Sequence, residues 1–265
     1  MPMGEISYQT GFGNQFATEA EPDVLPTGQN SPQKVSGGLY TEQLTGTAFT
    51  APRVSMQRSW MYRMRPSVRH LNNLQAIDSG LIRTSPDQNT SPTAAQLRWD
   101  PFPSVASDTT WLTGLATVAT NGNSEMQAGG AVHHFVASQS MGDTAFVDTD
   151  GELMLVPYDG QLLIKTEMGH LEVGPGHIAV IPRGVKFSVD LSTDGARGYV
   201  CENYGANFSL PEHGLVGVDA NALPRDFEYP IAAYDRDDRS TRLVAKISGQ
   251  LFSTELEHSP FDVVA

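Results

Sequence analysis

Residues 174–190 read GPGHIAVIPRGVKFSVD, and apolar and polar residues alternate in their second half. Successive side chains of a β-strand point to opposite faces, so Val185, Phe187 and Val189 are expected to face the interior together. Pro182 and Gly184 favour a tight turn just before Val185. The stretch therefore predicts two short strands, the second of which buries Phe187.

The spacing of this stretch is similar to the second motif of the cupin jelly roll. That motif is a glycine, five residues, Pro-x-Gly, two residues and a histidine. Gly176, Pro182 and Gly184 keep the spacing, but Phe187 occupies the histidine position. The resemblance implies a cupin-like sandwich in which this strand offers no ligand to a metal.

The first cupin motif is His-x-His, then Glu after three or four residues, then Gly after six more. Aligning its glycine with Gly160, and placing three residues before the glutamate, puts Leu153 at the glutamate and Val147 and Thr149 at the histidines. Glu152 misses by one residue, and such a shift turns a strand side chain to the other face. Iron and zinc need imidazole, thiolate or carboxylate donors. We therefore expect an apolar barrel interior and no metal at the four cupin ligand positions, Val147, Thr149, Leu153 and Phe187.

Residues 1–130 and residues 131–265 differ in their sequence pattern. Residues 1–130 are irregular and interrupted by many prolines and glycines, and we expect short strands that pack on the sandwich and contribute to it. A helical turn or two is expected at 55–63, and the polar run 120–130 is expected to separate the run 111–118 from the strands after residue 130. Residues 131–265 predict an all-β, antiparallel jelly-roll or cupin-like sandwich with few short helices, and one structural domain overall is the alternative to this division. Short β-prone runs recur there at 132–137, 144–147, 153–156, 161–166, 170–173, 177–181, 185–191 and 197–204.

The composition excludes several classes of protein. The net charge is −13 over 265 residues and no basic stripe is present, so nucleic acid is not an expected partner. No apolar run approaches the roughly 20 residues that span a bilayer, and the amino terminus lacks a signal pattern, so no membrane is expected either. Because Cys201 is the only cysteine, no intrachain disulfide can form, and the cytoplasm is the expected compartment.

The histidines offer one alternative metal site. His133 and His134 are adjacent, so on a strand they face opposite ways and cannot chelate one ion together. His134 and His177 could meet Glu172 or Glu202 across strands and form an improvised site. The competing interpretation is a set of surface and rim histidines without a ligand.

Cys201 and a group of arginines allow further readings. Cys201 would be a nucleophile if a histidine lay nearby, but a strand cysteine is more often a small buried residue. Arg58, Arg63, Arg65 and Arg69 could bind a carboxylate bidentately. Ion pairs with the surplus acidic residues of the chain, or subunit contacts, are the alternative that we favour.

Seven longer sequence words closely resemble the homogentisate 1,2-dioxygenase family and follow its order from end to end. Several matching segments of this length, in the same order, are far more specific than a short catalytic pattern. They are TGFGN (10–14), TGQNSPQ (27–33), LYTEQLTGTAFTAPR (39–53), RSWMYR (58–63), QLRW (96–99), LPRDF (223–227) and SPFDVVA (259–265).

The resemblance implies a cytosolic enzyme of tyrosine and phenylalanine breakdown that uses non-haem Fe(II) and O2 to open homogentisate to maleylacetoacetate. In the family, two histidines and a glutamate bind iron, a further histidine handles a substrate proton, and trimers assemble into hexamers. Those residues belong to the carboxy-terminal half, so no catalytic, cofactor-binding or metal residue is carried over to this chain. We expect it to be the scaffolding amino-terminal part, truncated before the iron-binding half and inactive alone. The alternative is a stand-alone, metal-free cupin-like binding or assembly module with an apolar ligand beside Phe187.

Overall fold

The structure is a computed structural model that describes residues 6–10, 17–25, 35–71, 73–86, 94–96, 98, 100, 106–210 and 223–265. The words at 10–14, 27–33 and 96–99 lie largely outside these residues, as does His213. In the described part, no helix is both long and apolar enough to cross a membrane.

The described chain consists mainly of short strands. Its four 3-10 helices are Ser36–Gly38, Arg53–Ser55, Ser67–Leu71 and Pro224–Asp226. Each of the eight β-prone runs predicted between residues 132 and 204 contains a strand, although the run 177–181 is a strand only over Ala179–Ile181. The strands are β1 Tyr8–Thr10, β2 Tyr40–Thr45, β3 Arg58–Arg63, β4 Gln75–Ile77, β5 Leu115–Asn123, β6 Ala128–Ala137, β7 Thr144–Asp148, β8 Glu152–Asp159, β9 Leu162–Thr166, β10 Gly169–Val173, β11 Ala179–Ile181, β12 Lys186–Leu191, β13 Ala196–Asn203, β14 Glu228–Pro230, β15 Thr241–Ile247 and β16 Gln250–Leu256.

Two sheets form a sandwich with jelly-roll topology. A five-stranded sheet has the order β11-β8-β13-β6-β5, and a seven-stranded sheet has the order β10-β9-β12-β7-β15-β16-β4. The ladders are antiparallel except for β7 and β15, which pair in parallel. The predicted antiparallel, cupin-like sandwich is confirmed, and β15, β16 and β4 extend one of its sheets.

Aromatic side chains fill the space between the sheets. Phe187 is fully buried with Val185 and Val189, as the alternation predicts. Its ring centroid lies 5.4 Å from that of Trp111 and 5.6 Å from that of Phe146. Because these rings pack edge to face, the described residues around Phe187 form a close-packed aromatic core.

A second apolar cluster covers the outer face of the seven-stranded sheet. It joins Ala145 and Val147 of β7 to Leu243 of β15 and to Phe261. The segment 259–265 lies over this face and pairs with β3, where the amide of Val264 donates to the carbonyl of Tyr62 at 2.7 Å. Both faces of this sheet are therefore buried, unlike those of a simple two-layer sandwich.

Two local predictions are wrong. In the helical turn expected at 55–63, residues Arg58–Arg63 form strand β3 and pair residue by residue with β2, and only Ser55 belongs to a 3-10 helix. The polar run 120–130, expected as a separator, is the end of the β5–β6 hairpin with its turn. Position 130 thus lies inside β6, and β4 and β5 belong to the two main sheets; the division at 130 stays a prediction.

Candidate functional site

The four cupin ligand positions do not converge on one point. Phe187 pairs with Phe146 across β12 and β7, and Leu153 lies in the same core between the sheets. Val147 pairs with Lys186 instead and packs in the second cluster, on the opposite face of the sheet. Val147 therefore faces away from the barrel interior.

The turn after β7 explains this direction. The carboxylate of Asp148 accepts hydrogen bonds from the amides of Asp150 and Gly151, at 2.8 and 3.1 Å, and this turn places four residues between Asp148 and Leu153. Thr149 therefore lies outside the interior, and its hydroxyl donates to the carbonyl of Lys246. The inward positions of β7 are Phe146 and Asp148, so one of the four ligand positions carries a carboxylate.

Asp148 belongs to a buried group that we call the lysine cluster: Lys246, Asp148, Asp150, Glu202, His133 and Tyr204. The Nζ of Lys246 lies 2.9 Å from Oδ2 of Asp150 and 3.6 Å from Oδ2 of Asp148, and it also hydrogen-bonds Glu202. Asp148 and Lys246 are register partners in the parallel pair β7–β15. Glu202 comes from β13 of the other sheet, so the cluster connects the two layers.

Further hydrogen bonds fix Glu202. Its Oε2 lies 3.0 Å from Nε2 of His133 and accepts a hydrogen bond from the hydroxyl of Tyr204 at 3.3 Å. The other ring nitrogen of His133, Nδ1, lies 2.9 Å from Oγ1 of Thr117. Both nitrogens of this histidine are thus engaged within the protein.

The electrostatics hold the central cation in its charged form. Burial would lower the pKa of Lys246, but Asp148, Glu202 and Asp150 raise it. Burial would raise the pKa of Glu202, but His133 and Lys246 lower it to about 2. Burial and the charge of Glu202 raise the pKa of Asp148 well above its usual range. A lysine that stays protonated cannot act as a nucleophile or base, so the cluster is built for ion pairing.

A second buried group, the arginine cluster, lies outside the sandwich and consists of Arg63, Glu42, Glu167, Asp262 and Lys186. The guanidinium of Arg63 contacts Glu167 at 2.5 Å, Asp262 at 2.9 Å and Glu42 at 3.1 Å. Lys186 adds a contact of 3.2 Å to Glu167. The group therefore joins β2, β3 and the segment 259–265 to the seven-stranded sheet.

His70 lies beside the arginine cluster and is fully buried. Neither of its ring nitrogens has a hydrogen-bond partner among the described residues, and its ring lies 5.3 Å from that of His258. Burial, together with the charges of Lys186 and Arg63, lowers the pKa of His70 to about 2. Although Nε2 lies 4.0 Å from a carboxylate oxygen of Asp262, the imidazole is neutral, since burial and the two cations outweigh that carboxylate.

Comparison with known proteins decides the family. Residues 7–265 match the family described as homogentisate 1,2-dioxygenase N-terminal. The chain belongs to this family. Homogentisate 1,2-dioxygenases of Rhodopseudomonas palustris (strain BisA53) and Nitrobacter hamburgensis are 51% and 50% identical to it over 258 residues. Each alignment covers 97% of this chain and 58% of the relative, so the chain spans less than two thirds of the length of the curated relatives it matches.

Solved structures resemble only part of the fold. A cupin-2 domain containing protein from Shewanella frigidimarina aligns with 28% of this chain and 70% of its own, at 15% identity and a TM-score of 0.25. That likeness is too low to carry an argument, and the cupin-like description depends on the strand topology.

The iron centre implied by the homogentisate dioxygenase family does not fit the described residues. A facial two-histidine, one-carboxylate site leaves positions open for substrate and O2. The one group of three potential ligands that the described residues bring within 4.8 Å of one another is Asp148, Asp150 and Glu202. It includes no histidine, and the ammonium of Lys246 already occupies the place where a cation would bind.

The improvised site at His134 and His177 is wrong as well. His134 lies on the outer face of the five-stranded sheet, where Nε2 is 2.7 Å from the hydroxyl of Tyr158, whereas Glu202 points inward. His177 lies in the turn after β10, with Nδ1 accepting a long hydrogen bond of 3.4 Å from the amide of Gly174. The described residues group neither histidine with two further ligands.

The remaining candidates are Cys201 and the four arginines. Cys201 is half-buried on the outer face of β13, and burial raises the pKa of its thiol, which disfavours nucleophilic chemistry. Arg63 and Arg65 form ion pairs with acidic residues of the same chain, Arg65 with Asp238, as the favoured interpretation has it. Arg58 and Arg69 are exposed.

The lysine cluster was not predicted from the sequence, although one local signal is present. Lys246 stands in the run TRLVAKI, next to Leu243, Val244 and Ala245, and all four are buried. A lysine inside an apolar β-run of an acidic protein indicates a buried cation with carboxylate partners. The identity of those partners depends on strand pairing, which the run itself does not contain.

Proposed function

We propose that this chain is the scaffolding amino-terminal portion of a homogentisate 1,2-dioxygenase, an oxidoreductase that uses Fe(II) and O2 to open the ring of homogentisate to maleylacetoacetate. The family match over residues 7–265 and the 51% identity over 258 residues to the Rhodopseudomonas palustris relative support this proposal. Homogentisate, O2 and Fe(II) would bind in the part of the longer relatives that this chain does not match. A cytoplasmic location and a homo-oligomer of trimers paired into hexamers belong to the same proposal.

The geometry supports a scaffolding role. Phe187, Phe146 and Trp111 fill the centre of the barrel. The polar end of the barrel is closed by Lys246, whose charge is matched by carboxylates from both sheets. We therefore propose that the chain contributes no catalytic, cofactor-binding or metal residue of its own.

Oxygen uptake tests this assignment. The 265-residue chain, supplied with Fe(II) and homogentisate, should consume no O2 above the rate of Fe(II) and homogentisate without protein. The chain joined to the remaining length of the Rhodopseudomonas palustris relative should show uptake, and its product should absorb as a ring-opened maleylacetoacetate. Homogentisate-dependent uptake by the 265-residue chain would overturn the scaffolding role. A folded, full-length fusion that binds iron but ignores homogentisate would overturn the substrate.

A further inference from the structure

Strand β3 has one covered half and one open half. Residues 61–63 are buried, whereas residues 58–60 are exposed, and the side chain of Trp60 is 39% exposed. The division lies where the pairing on one edge of the strand stops. The segment 259–265 pairs with this edge in the covered half, and in the described residues no strand pairs with it in the open half.

Hydrogen bonds define the direction of this pairing. It is antiparallel, with Arg63 opposite Val263. Tyr62 uses both of its backbone groups on this edge: its carbonyl accepts from the amide of Val264 at 2.7 Å, and its amide donates to the carbonyl of Ala265 at 2.9 Å. Two consecutive residues thus oppose Tyr62, which is the pattern of a β-bulge. Because the pairing is antiparallel, the chain proceeds after the bulge towards the open half of β3.

Trp60 presents its backbone groups to the same edge. Every second residue of a strand bonds to the same neighbour, so Trp60 faces the side to which Tyr62 bonds. The residues between them face β2, as shown by the carbonyl of Gln57, which accepts from the amide of Gly46 at 2.9 Å next to the β2–β3 ladder. In the part of the chain that the structure describes, the amide and carbonyl of Trp60 make no backbone hydrogen bond on their edge. An open edge of this kind is a template for another strand.

The continuation of the same chain is the strand that fits this edge best. The family model that matches residues 7–265 describes an amino-terminal part, and the alignment with the Rhodopseudomonas palustris relative covers 58% of that protein. A segment that already lies in the ladder at Ala265 extends it without closing a further loop. A second copy, or a distant part of the chain, would first lose translational freedom or close a loop to make the same bonds.

We propose that in the family-length protein the residues directly after Ala265 continue the ladder along the open half of β3. The bulge at Tyr62 sets the register, so the second residue after Ala265 exchanges both backbone hydrogen bonds with Trp60. The β2–β3 pair then becomes a three-stranded sheet over the whole length of β3. This inference rests on the proposed function in one respect, that the chain is the amino-terminal portion of a longer protein.

Strand β3 is then the element through which the scaffold holds the remainder of the protein. Its last residue, Arg63, is fastened to the β9–β10 turn of the sandwich by an ion pair of 2.5 Å with Glu167. Its first half pairs with the first residues of the remainder. A paired strand, instead of a flexible linker, therefore joins the two parts and fixes the direction in which the remainder leaves the sandwich.

Residue-resolved hydrogen exchange tests this pairing. It compares the 265-residue chain with the same chain joined to the remaining length of the Rhodopseudomonas palustris relative. We expect the amide of Trp60 to exchange about 100-fold more slowly in the joined protein, and the amide of Ser59, which faces β2, to be protected in both. An equally fast Trp60 amide in a joined protein that consumes O2 with homogentisate would overturn the pairing and leave the proposed function intact. A protected Trp60 amide in a joined protein without that activity would support the pairing and contradict the proposed function.

The same measurement identifies a different occupant of the edge. If the amide of Trp60 is already protected in the 265-residue chain, another part of this chain covers the edge. If its protection in the joined protein falls on dilution, the partner strand comes from a second copy. Either result would overturn the proposal.

A disulfide tests the register. In a Cys201→Ser background, Ser59→Cys is combined with a cysteine at the third position after Ala265, which the register places opposite it with the Cα atoms about 4.5 Å apart. We expect oxidised glutathione to close this pair. Val54→Cys with the same partner should stay open, because Val54 is 96% exposed in the β2–β3 connection and lies outside the ladder. An open first pair in the folded protein, or equal closure of both pairs, would overturn the proposal.

Discussion

Two buried cations of this molecule, Lys246 and Arg63, are each surrounded by three carboxylates, and both side chains are almost fully buried. They differ in what they connect. The carboxylates around Lys246 come from β7, the turn after it and β13, all within the jelly roll. Those around Arg63 come from β2, the β9–β10 turn and the segment 259–265, two of which lie outside the sandwich.

This difference shows how one chemical solution serves two structural tasks. The ammonium of Lys246 is a compact charge with three donors, and the rigid strands around it hold the acceptors in place. The guanidinium of Arg63 presents five donors in a planar fork, which suits it to gather segments that approach from different directions. The lysine cluster is therefore part of the sandwich itself, whereas the arginine cluster fastens outlying segments to it.

The largest effect is expected from Lys246→Met, which leaves three buried carboxylates without their cation. Removing one partner of a buried ion pair costs about 3–5 kcal/mol, and urea denaturation should show this loss for the whole domain in one transition. Lys165→Met is the matched control, because Lys165 pairs with Asp235 where both side chains are 18% exposed. Its cost should stay below about 1 kcal/mol.

The loss in Lys246→Met should also depend on pH. Without the ammonium, the buried carboxyls of Asp148 and Glu202 favour their protonated forms in the folded state, so their folded pKa values lie above the unfolded ones. Stability is then lost as the pH rises through those values, and the difference from wild type should be smaller at pH 5 than at pH 8. A difference that is constant across this range would contradict an origin in unpaired carboxylates.

A smaller and more local effect is expected from Arg63→Met. It removes the common partner of Glu42, Glu167 and Asp262, with a cost of about 3 kcal/mol, and the segment 259–265 should loosen first. Hydrogen exchange should speed up at the amides of Tyr62 and Val264, while the amides of β13 stay protected. Arg58→Met is the control, since Arg58 is an exposed residue of the same strand. If hydrogen exchange sped up equally in β3 and β13, the arginine cluster would stabilise the whole sandwich and not the outlying segments alone.

The contrast between the clusters also marks what the sequence can predict. Alternation in 185–189 places Phe187 inward because the pattern is local to one strand. It does not reveal β15, since Leu243, Val244 and Ala245 are buried on both faces of the sheet and leave no alternation to read. It also cannot decide whether three or four residues separate the second cupin ligand position from Leu153, and that single residue determines whether Val147 or Asp148 faces the interior.

Long-range ion pairs are further from prediction. Arg63 meets Asp262 across 199 residues and Glu167 across 104. Nothing in the segment RSWMYR indicates these partners. The same segment is predicted as a helical turn, since the segment 259–265 that pairs with it in the structure is distant in the sequence. Resemblance to a family identifies such segments but does not predict which residues they contact.

The smallest effect concerns His70, whose neutrality depends on its burial and on the cations of the arginine cluster. Its folded pKa is about 2, whereas in the unfolded chain it is near 6.5. Between these values the unfolded state binds a proton that the folded state does not, so His70 lowers stability as the pH falls below 6.5, by about 1.4 kcal/mol per pH unit. His70→Leu removes this proton and loses no hydrogen bond that the described residues make, so it should match the wild type within about 1 kcal/mol at pH 7.5. At pH 5.5 its stability relative to wild type should be about 1.4 kcal/mol higher than at pH 7.5, as measured by urea denaturation at the two pH values. Parallel pH profiles for the two proteins would show that His70 takes up its proton at the same pH in the folded and the unfolded chain, in which case the carboxylate of Asp262 offsets burial, Arg63 and Lys186.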